Sequence, residues 1–136
     1  MDVLGTQIEV HVSCEKSGGS LFAFEQRVPV GQGVPPHTHD AEDEVVLVMS
    51  GRVSGVIDGE AVSVGPGESR VLRRGVSHGF TNDGPEEARI FTVVSPGENF
   101  ERMFAHLEGT TKRTTPSLED AVEVMARYGM VFQSPE

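Results

Sequence analysis

Up to about residue 95 the chain is a succession of short runs in which apolar residues either alternate with polar ones or stand together, punctuated by Gly, Pro and Asp. Alternation at a period of two marks a strand with one buried face, and a brief apolar run between turn signals reads as a buried strand. Gln7 to Val12 and Ser20 to Val28 are strands on this basis. Glu44 to Ser50 ("EVVLVMS") is β-branched and too short to stand as an isolated helix, so it reads as a buried strand. "RVSGVIDGEAVSV" holds Asp58-Gly59 at its centre, a strong two-residue hairpin signal. Gly65 to Gly67 is a further turn. "SRVLR", "HGFTN" and "ARIFTVVS" follow as strands, with "NDGPEE" turning into the last. So many short strands in one flat sheet would leave exposed edges, and an all-β sandwich or barrel is the physical answer.

The pattern changes at Ser95. "SPGE" offers Ser95 as N-cap, Pro96 at the first helical position and Glu98 as capping-box partner. Phe100, Met103, Phe104 and Leu107 then recur at helical spacing. A second helix is expected from Ser117, with Asp120 three residues on, an apolar stripe of Leu118, Ala121, Val122 and Met125, and a stop at Gly129. The polar segment between them, Leu107 to Pro116, reads as a surface loop. The expected division is a β domain over residues 1–95 and a two-helix extension over 96–136 packed on it.

Composition narrows the function. A chain of 136 residues with 37% hydrophobic and 24% charged content is a single globular domain with one core. Its formal net charge of −10 repels phosphate backbones and anionic membrane surfaces, which argues against nucleic-acid and membrane partners. Cys14 is the one cysteine and adjoins no redox motif, no apolar run approaches the ~20 residues of a membrane span, and the first residues lack a secretory signal. The expected location is cytoplasmic.

Three of the five histidines concentrate the chemistry. His37 and His39 lie two apart, so in an extended strand both point to one face, and Pro35-Pro36 stiffens the approach to them. Glu44 opens the next strand. His78, Phe80 and Asn82 share a face of a later one. A buried polar group without a partner costs about 1–3 kcal/mol. Three imidazoles and a carboxylate in one apolar interior call for compensation, and a divalent first-row metal supplies it. The histidine pair alone fits a structural role equally well. Asp40, Glu42 and Asp43 read as a solvated connection, Asn82 as a turn cap, and His106 as a residue near a helix C-terminus that favours the dipole. His11 fits no pattern.

The spacing of these residues resembles a known family. Gly31-x5-His37-x-His39-x4-Glu44-x6-Gly51 matches the first cupin motif at every position, and Gly67-x5-Arg73-x-Gly75-x2-His78-x3-Asn82 matches the second, with Arg73 where the family has proline. The resemblance covers about Val28 to Ser95. It implies an antiparallel jelly roll with His37, His39, Glu44 and His78 as ligands of one divalent ion: iron, manganese, nickel, copper, cobalt or zinc. The tail, in "SPGENFERMF" and "YGMVFQSPE", is similar to small quercetinase-like cupins. That likeness implies a metal-dependent dioxygenase for an aromatic or enolic small molecule that chelates the metal, with Glu44 doubling as base. Strand phase places Val46, Val48 and Phe80 beside the metal, with Phe24 and Phe91 completing the pocket. A non-redox isomerase, cyclase or decarboxylase, and a ligand-binding cupin without turnover, are the alternatives. Small cupins of this kind also suggest a homodimer.

Overall fold

The computed structural model describes residues 1–3, 5–113 and 118–132. β1 (Asp2–Val3) and β2 (Thr6–Val12) precede a single helical turn, α1 (Cys14–Ser17). β3 (Phe22–Val28), β4 (Gly33–His39), β5 (Asp43–Ser50), β6 (Val53–Ile57) and β7 (Glu60–Val64) follow, then β8 (Ser69–Leu72), β9 (His78–Thr81) and β10 (Ala88–Ser95). The chain ends in α2 (Glu98–Arg113), α3 (Leu118–Arg127) and β11 (Met130–Phe132). Every pairing is antiparallel. One sheet runs β1-β2-β3-β10-β5-β8 and the other β11-β4-β9-β6-β7. From β3 onward the chain crosses repeatedly between the two sheets, which is the jelly roll with C-terminal helices expected from the sequence.

Two local features fix the register around the histidines. Asp58 and Gly59 both have positive φ (52° and 78°), the left-handed pair that a two-residue hairpin needs, so β6 and β7 meet at Ile57–Glu60. Gly79 lies where β9 passes under β4. A Cβ there would stand 2.6 Å from the Pro36 nitrogen and 2.9 Å from the Val34 carbonyl oxygen. Only glycine allows this approach, and the approach sets His78 directly opposite His37.

The core is divided. Phe22, Phe24 and Val94 on the inner face of the first sheet pack against Phe100, Met103 and Phe104 of α2. Phe22, Phe24, Phe100 and Phe104 form a ring cluster with centroid separations of 4.9 to 6.4 Å. Val28, Val48, Val53, Val64 and Ala88 form a smaller core at the other end of the strands. The helical segment therefore caps one end of the barrel, and burying its aromatic face drives the closure.

Several sequence expectations are corrected. Ser95 does not cap a helix: it remains in the β10 ladder opposite Asp43, and the first helical carbonyl is that of Gly97, which accepts from Glu101 N at 3.1 Å. α2 runs on through residues 107–113, which were expected to be loop; Leu107 is buried in the same core as Met103 and anchors that turn. The expected cap at Ser117, the rest of that loop and residues 133–136 of the tail lie outside the described residues. Residues 96–132 are also not purely helical, because β11 joins the second sheet beside β4. Gly129 ends α3 with φ of 80°, as its sequence position suggests. Among the described residues no helix is long and apolar enough to cross a membrane.

Gly79→Ala should destabilise the protein by about 1–3 kcal/mol, the usual cost of forcing a methyl group into a filled site. Urea unfolding monitored by circular dichroism measures this, and an unchanged midpoint would contradict the close approach.

Candidate metal centre

The local fold gathers the predicted residues at the capped end of the barrel. His37 and His39 sit two apart on β4 and point inward, and His78 opens β9 opposite His37. The His37 and His78 rings are 4.4 Å apart, His37 and His39 5.0 Å, and His39 and His78 5.7 Å between centroids. One ring nitrogen of each lies within 4.8 Å of the others. All three are buried. Glu44, opposite Val94 on the first sheet, reaches across with Oε1 3.5 Å from His39 Nε2 and Oε2 3.5 Å from His78 Nε2.

Backbone carbonyls orient two of the rings. His37 Nδ1 lies 2.8 Å from the Pro35 carbonyl oxygen and His78 Nδ1 3.3 Å from that of Val76. A carbonyl can only accept, so each Nδ1 must carry the proton, which leaves the Nε2 lone pair free. Burial lowers the imidazoles, His37 to about 4 and His39 to about 3, with the neighbouring histidines adding to the effect. His78 is lowered by burial as well. Burial, and then the charge of Glu42, raises the Glu44 carboxyl to about 8. Near pH 7 the rings and the carboxyl are therefore neutral, and the His–Glu44 contacts are not ion pairs. Three neutral imidazoles, two of them with Nε2 left free, and an adjoining carboxyl are the donor set a divalent first-row ion takes, so His37, His39, His78 and Glu44 fit such an ion.

A cavity of about 580 Å3 adjoins these groups. Phe24, Val46 and Phe80 line it, together with Phe100, Met125 and Phe132 from the C-terminal segment. Phe132, opposite His37 in the ladder, lies 5.4 Å from its ring, and Phe100 lies 5.0 Å from that of His39. Sequence reasoning missed both; the repeat of Phe100 with Phe104 indicated only packing, and Phe132 needed the pairing of β11. Two expected wall residues are elsewhere. Phe91 is on the outer face, opposite Leu47 and edge-on to His11 at 5.6 Å, because inward phase on β10 belongs to Thr92 and Val94. Val48 points inward but is sealed in the small core at the other end.

The acidic run divides differently from expectation. Asp40 is exposed and Asp43 pairs with Arg74 at 3.0 Å, but Glu42 is only 1% exposed and is bound by Asn99 of α2. Asn82 is a turn residue: its Nδ2 donates to the Val28 and Glu86 carbonyls, and its Oδ1 accepts from Gly84 N. Arg73 is exposed. Its carbonyl accepts from Val76 N at 3.1 Å and Gly75 N donates to the His39 carbonyl at 2.8 Å, so the turn before His78 closes without proline. His106 is not at a helix end; α2 continues past it, and its Nδ1 meets the Tyr128 hydroxyl at 3.2 Å.

Fold and site together define a jelly-roll protein with a buried three-histidine cluster able to hold a metal ion. The profile of the Cupin domain family matches residues 24–94, just over half of the chain, and the chain belongs to that family. It is 32% identical over 66 residues to the polyketide synthase CurC of Streptomyces cyaneus, a match covering 48% of this chain and 43% of that protein, so less than half of the relative's length is represented. The structure resembles a predicted oxalate decarboxylase from Thermotoga maritima (TM-score 0.63, 21% identity, 66% of this chain and 79% of the other). It also resembles the polyketide cyclase RemF from Streptomyces resistomycificus (TM-score 0.59, 25% identity, 67% of this chain and 65% of the other).

The shifted groups make stability pH-dependent in opposite directions. His37 and His39 are depressed from 6.5, so their contribution is complete above pH 6.5 and is lost as pH falls toward 4 and 3. Glu44 is raised from 4.5, so its contribution is complete below pH 4.5 and is lost as pH rises through about 8. Metal-free protein should therefore lose stability between pH 6.5 and about 8, and Glu44→Gln should lack that loss. Denaturant unfolding across that range tests this, and matching profiles for the two proteins would contradict it.

Proposed function

We propose that this cupin is a metal-dependent enzyme that carries out proton-transfer chemistry, of the cyclase or isomerase kind, on an aromatic or enolic substrate that chelates through oxygen. The observation that carries the reading is the junction of the histidine triad and Glu44 with a largely apolar cavity of small-molecule size. A divalent ion held by His37, His39, His78 and Glu44 would supply Lewis acidity, drawing negative charge onto the substrate oxygens. Glu44 is the carboxyl placed to move a proton. In its ionised form it can take one from a carbon flanked by carbonyls, that carbon can close on a second carbonyl carbon of the same molecule, and the new alkoxide takes the proton back. Phe24, Phe80, Phe100 and Phe132 would hold a flat or folded substrate and exclude water from that exchange. The likeness to a polyketide cyclase and a polyketide synthase supports a polycarbonyl substrate of that chemistry.

The second reading is a dioxygenase acting on the same kind of chelating substrate. The tail, similar to small quercetinase-like cupins, favours it. Oxygen decides between the two. Under the first, turnover runs unchanged without oxygen and the product has the substrate's mass or that mass less water. Stoichiometric oxygen uptake would establish the second, and tight binding without turnover would make the chain a binding module. Under either enzymatic reading, His37→Ala or His78→Ala should lower metal affinity by at least about 10–100-fold and abolish turnover. Metal content and rate unchanged in both variants would overturn the site.

A further inference from the structure

Glu42 is a buried acid that the chemistry above leaves unused. It lies in the connection between β4 and β5, and both its oxygens accept hydrogen bonds: Oε1 from Asn99 Nδ2 at 2.8 Å and Oε2 from Ala41 N at 3.2 Å. Acceptor-only contacts suit the carboxylate form. Asn99 Nδ2 also donates to the Tyr128 carbonyl at 2.5 Å, so one side chain of α2 joins the β4–β5 connection to the turn before β11. Each joined element touches the histidines. Phe100, next to Asn99, packs on His39, while β11 sets Met130 opposite His39 and Phe132 opposite His37. The Asp40 N–H donates to the Gly129 carbonyl at 3.0 Å and strengthens the same seam.

Charge gives this seam a purpose. A divalent ion on three neutral imidazoles and the Glu44 carboxylate leaves one positive charge in a buried site, and an unbalanced buried charge is costly. Glu42 lies two residues before Glu44, buried and held by Asn99, so its carboxylate is fixed within one short stretch of backbone of the site. We infer that Glu42 is a positioning residue: held by Asn99, it balances the charge of an ion at the triad and fastens the helical cap over the cavity, so that metal loading and cap closure are coupled. This rests on the metal reading proposed above.

The test is a cobalt(II) titration of the full metal-free chain, followed by visible absorption and by hydrogen exchange of the α2 amides. Wild type should bind cobalt and gain protection in α2. Glu42→Gln should bind about 10–100-fold more weakly while keeping the wild-type band shape at saturation, because the coordinating atoms are unchanged. Asn99→Ala should still bind cobalt but lose the metal-dependent gain in protection. Equal affinity in wild type and Glu42→Gln would overturn the inference and leave the metal site standing. A changed band shape would place Glu42 among the ligands and also overturn it. Failure of wild type to bind cobalt would overturn the metal reading itself. If Glu42→Gln does not fold, Asn99→Ala decides: protection that still rises on metal addition overturns the coupling.

Discussion

The structure depends on burying three imidazoles and a carboxyl group inside an apolar barrel. Each is costly there unless it remains neutral or gains a partner, and the fold does both. Without a cation the rings shed their protons and Glu44 keeps its own. The Pro35 and Val76 carbonyls take up the ring N–H groups of His37 and His78, leaving their other nitrogens aimed at a common point. An arrangement that tolerates neutral groups but presents lone pairs together is poised for a cation. The same burial that raises Glu44 makes it suited to carry a proton in a dry cavity.

The environment of that site comes from two sources. Strands β4, β5 and β9 supply the polar groups, held in register by the Asp58-Gly59 hairpin and by the close passage of Gly79 under β4. Residues beyond 95 supply a large part of the apolar enclosure, since Phe100, Met125 and Phe132 complete walls that the barrel leaves open. The cap therefore has a structural and a chemical role in one set of contacts. Its aromatic residues form the main core with Phe22 and Phe24, and two of them sit against histidine rings.

Much of this was legible in the sequence because it is encoded locally. The Asp58-Gly59 turn, the His37/His39 alternation and the short strand of His78 each depend on a few neighbouring residues. What escaped depends on distant pairing. "ARIFTVVS" carries its two internal polar residues, Arg89 and Thr92, on opposite faces, so its phase cannot be read from alternation, and Thr92 points inward opposite Phe24 and Val46. Phe91 consequently faces outward, against the phase its apolar neighbours suggest. Glu42 sits in a run whose composition says solvent, and only its bond to Asn99, 57 residues away, brings it inside. β11 is three residues long, too short to carry a periodic signal, and exists through its ladder with β4.

The central claim is that the His37, His39, His78 and Glu44 side chains form one metal centre. X-ray absorption spectroscopy of the cobalt- or zinc-loaded protein addresses it most directly, because imidazole and carboxylate ligands scatter differently. The account predicts a shell of nitrogen and oxygen donors at about 2.0–2.2 Å with the outer-shell signature of three imidazoles. Substituting any one histidine should reduce that signature by one ring. A shell containing sulfur, or one that keeps all its imidazole scattering when His78 is replaced, would contradict it.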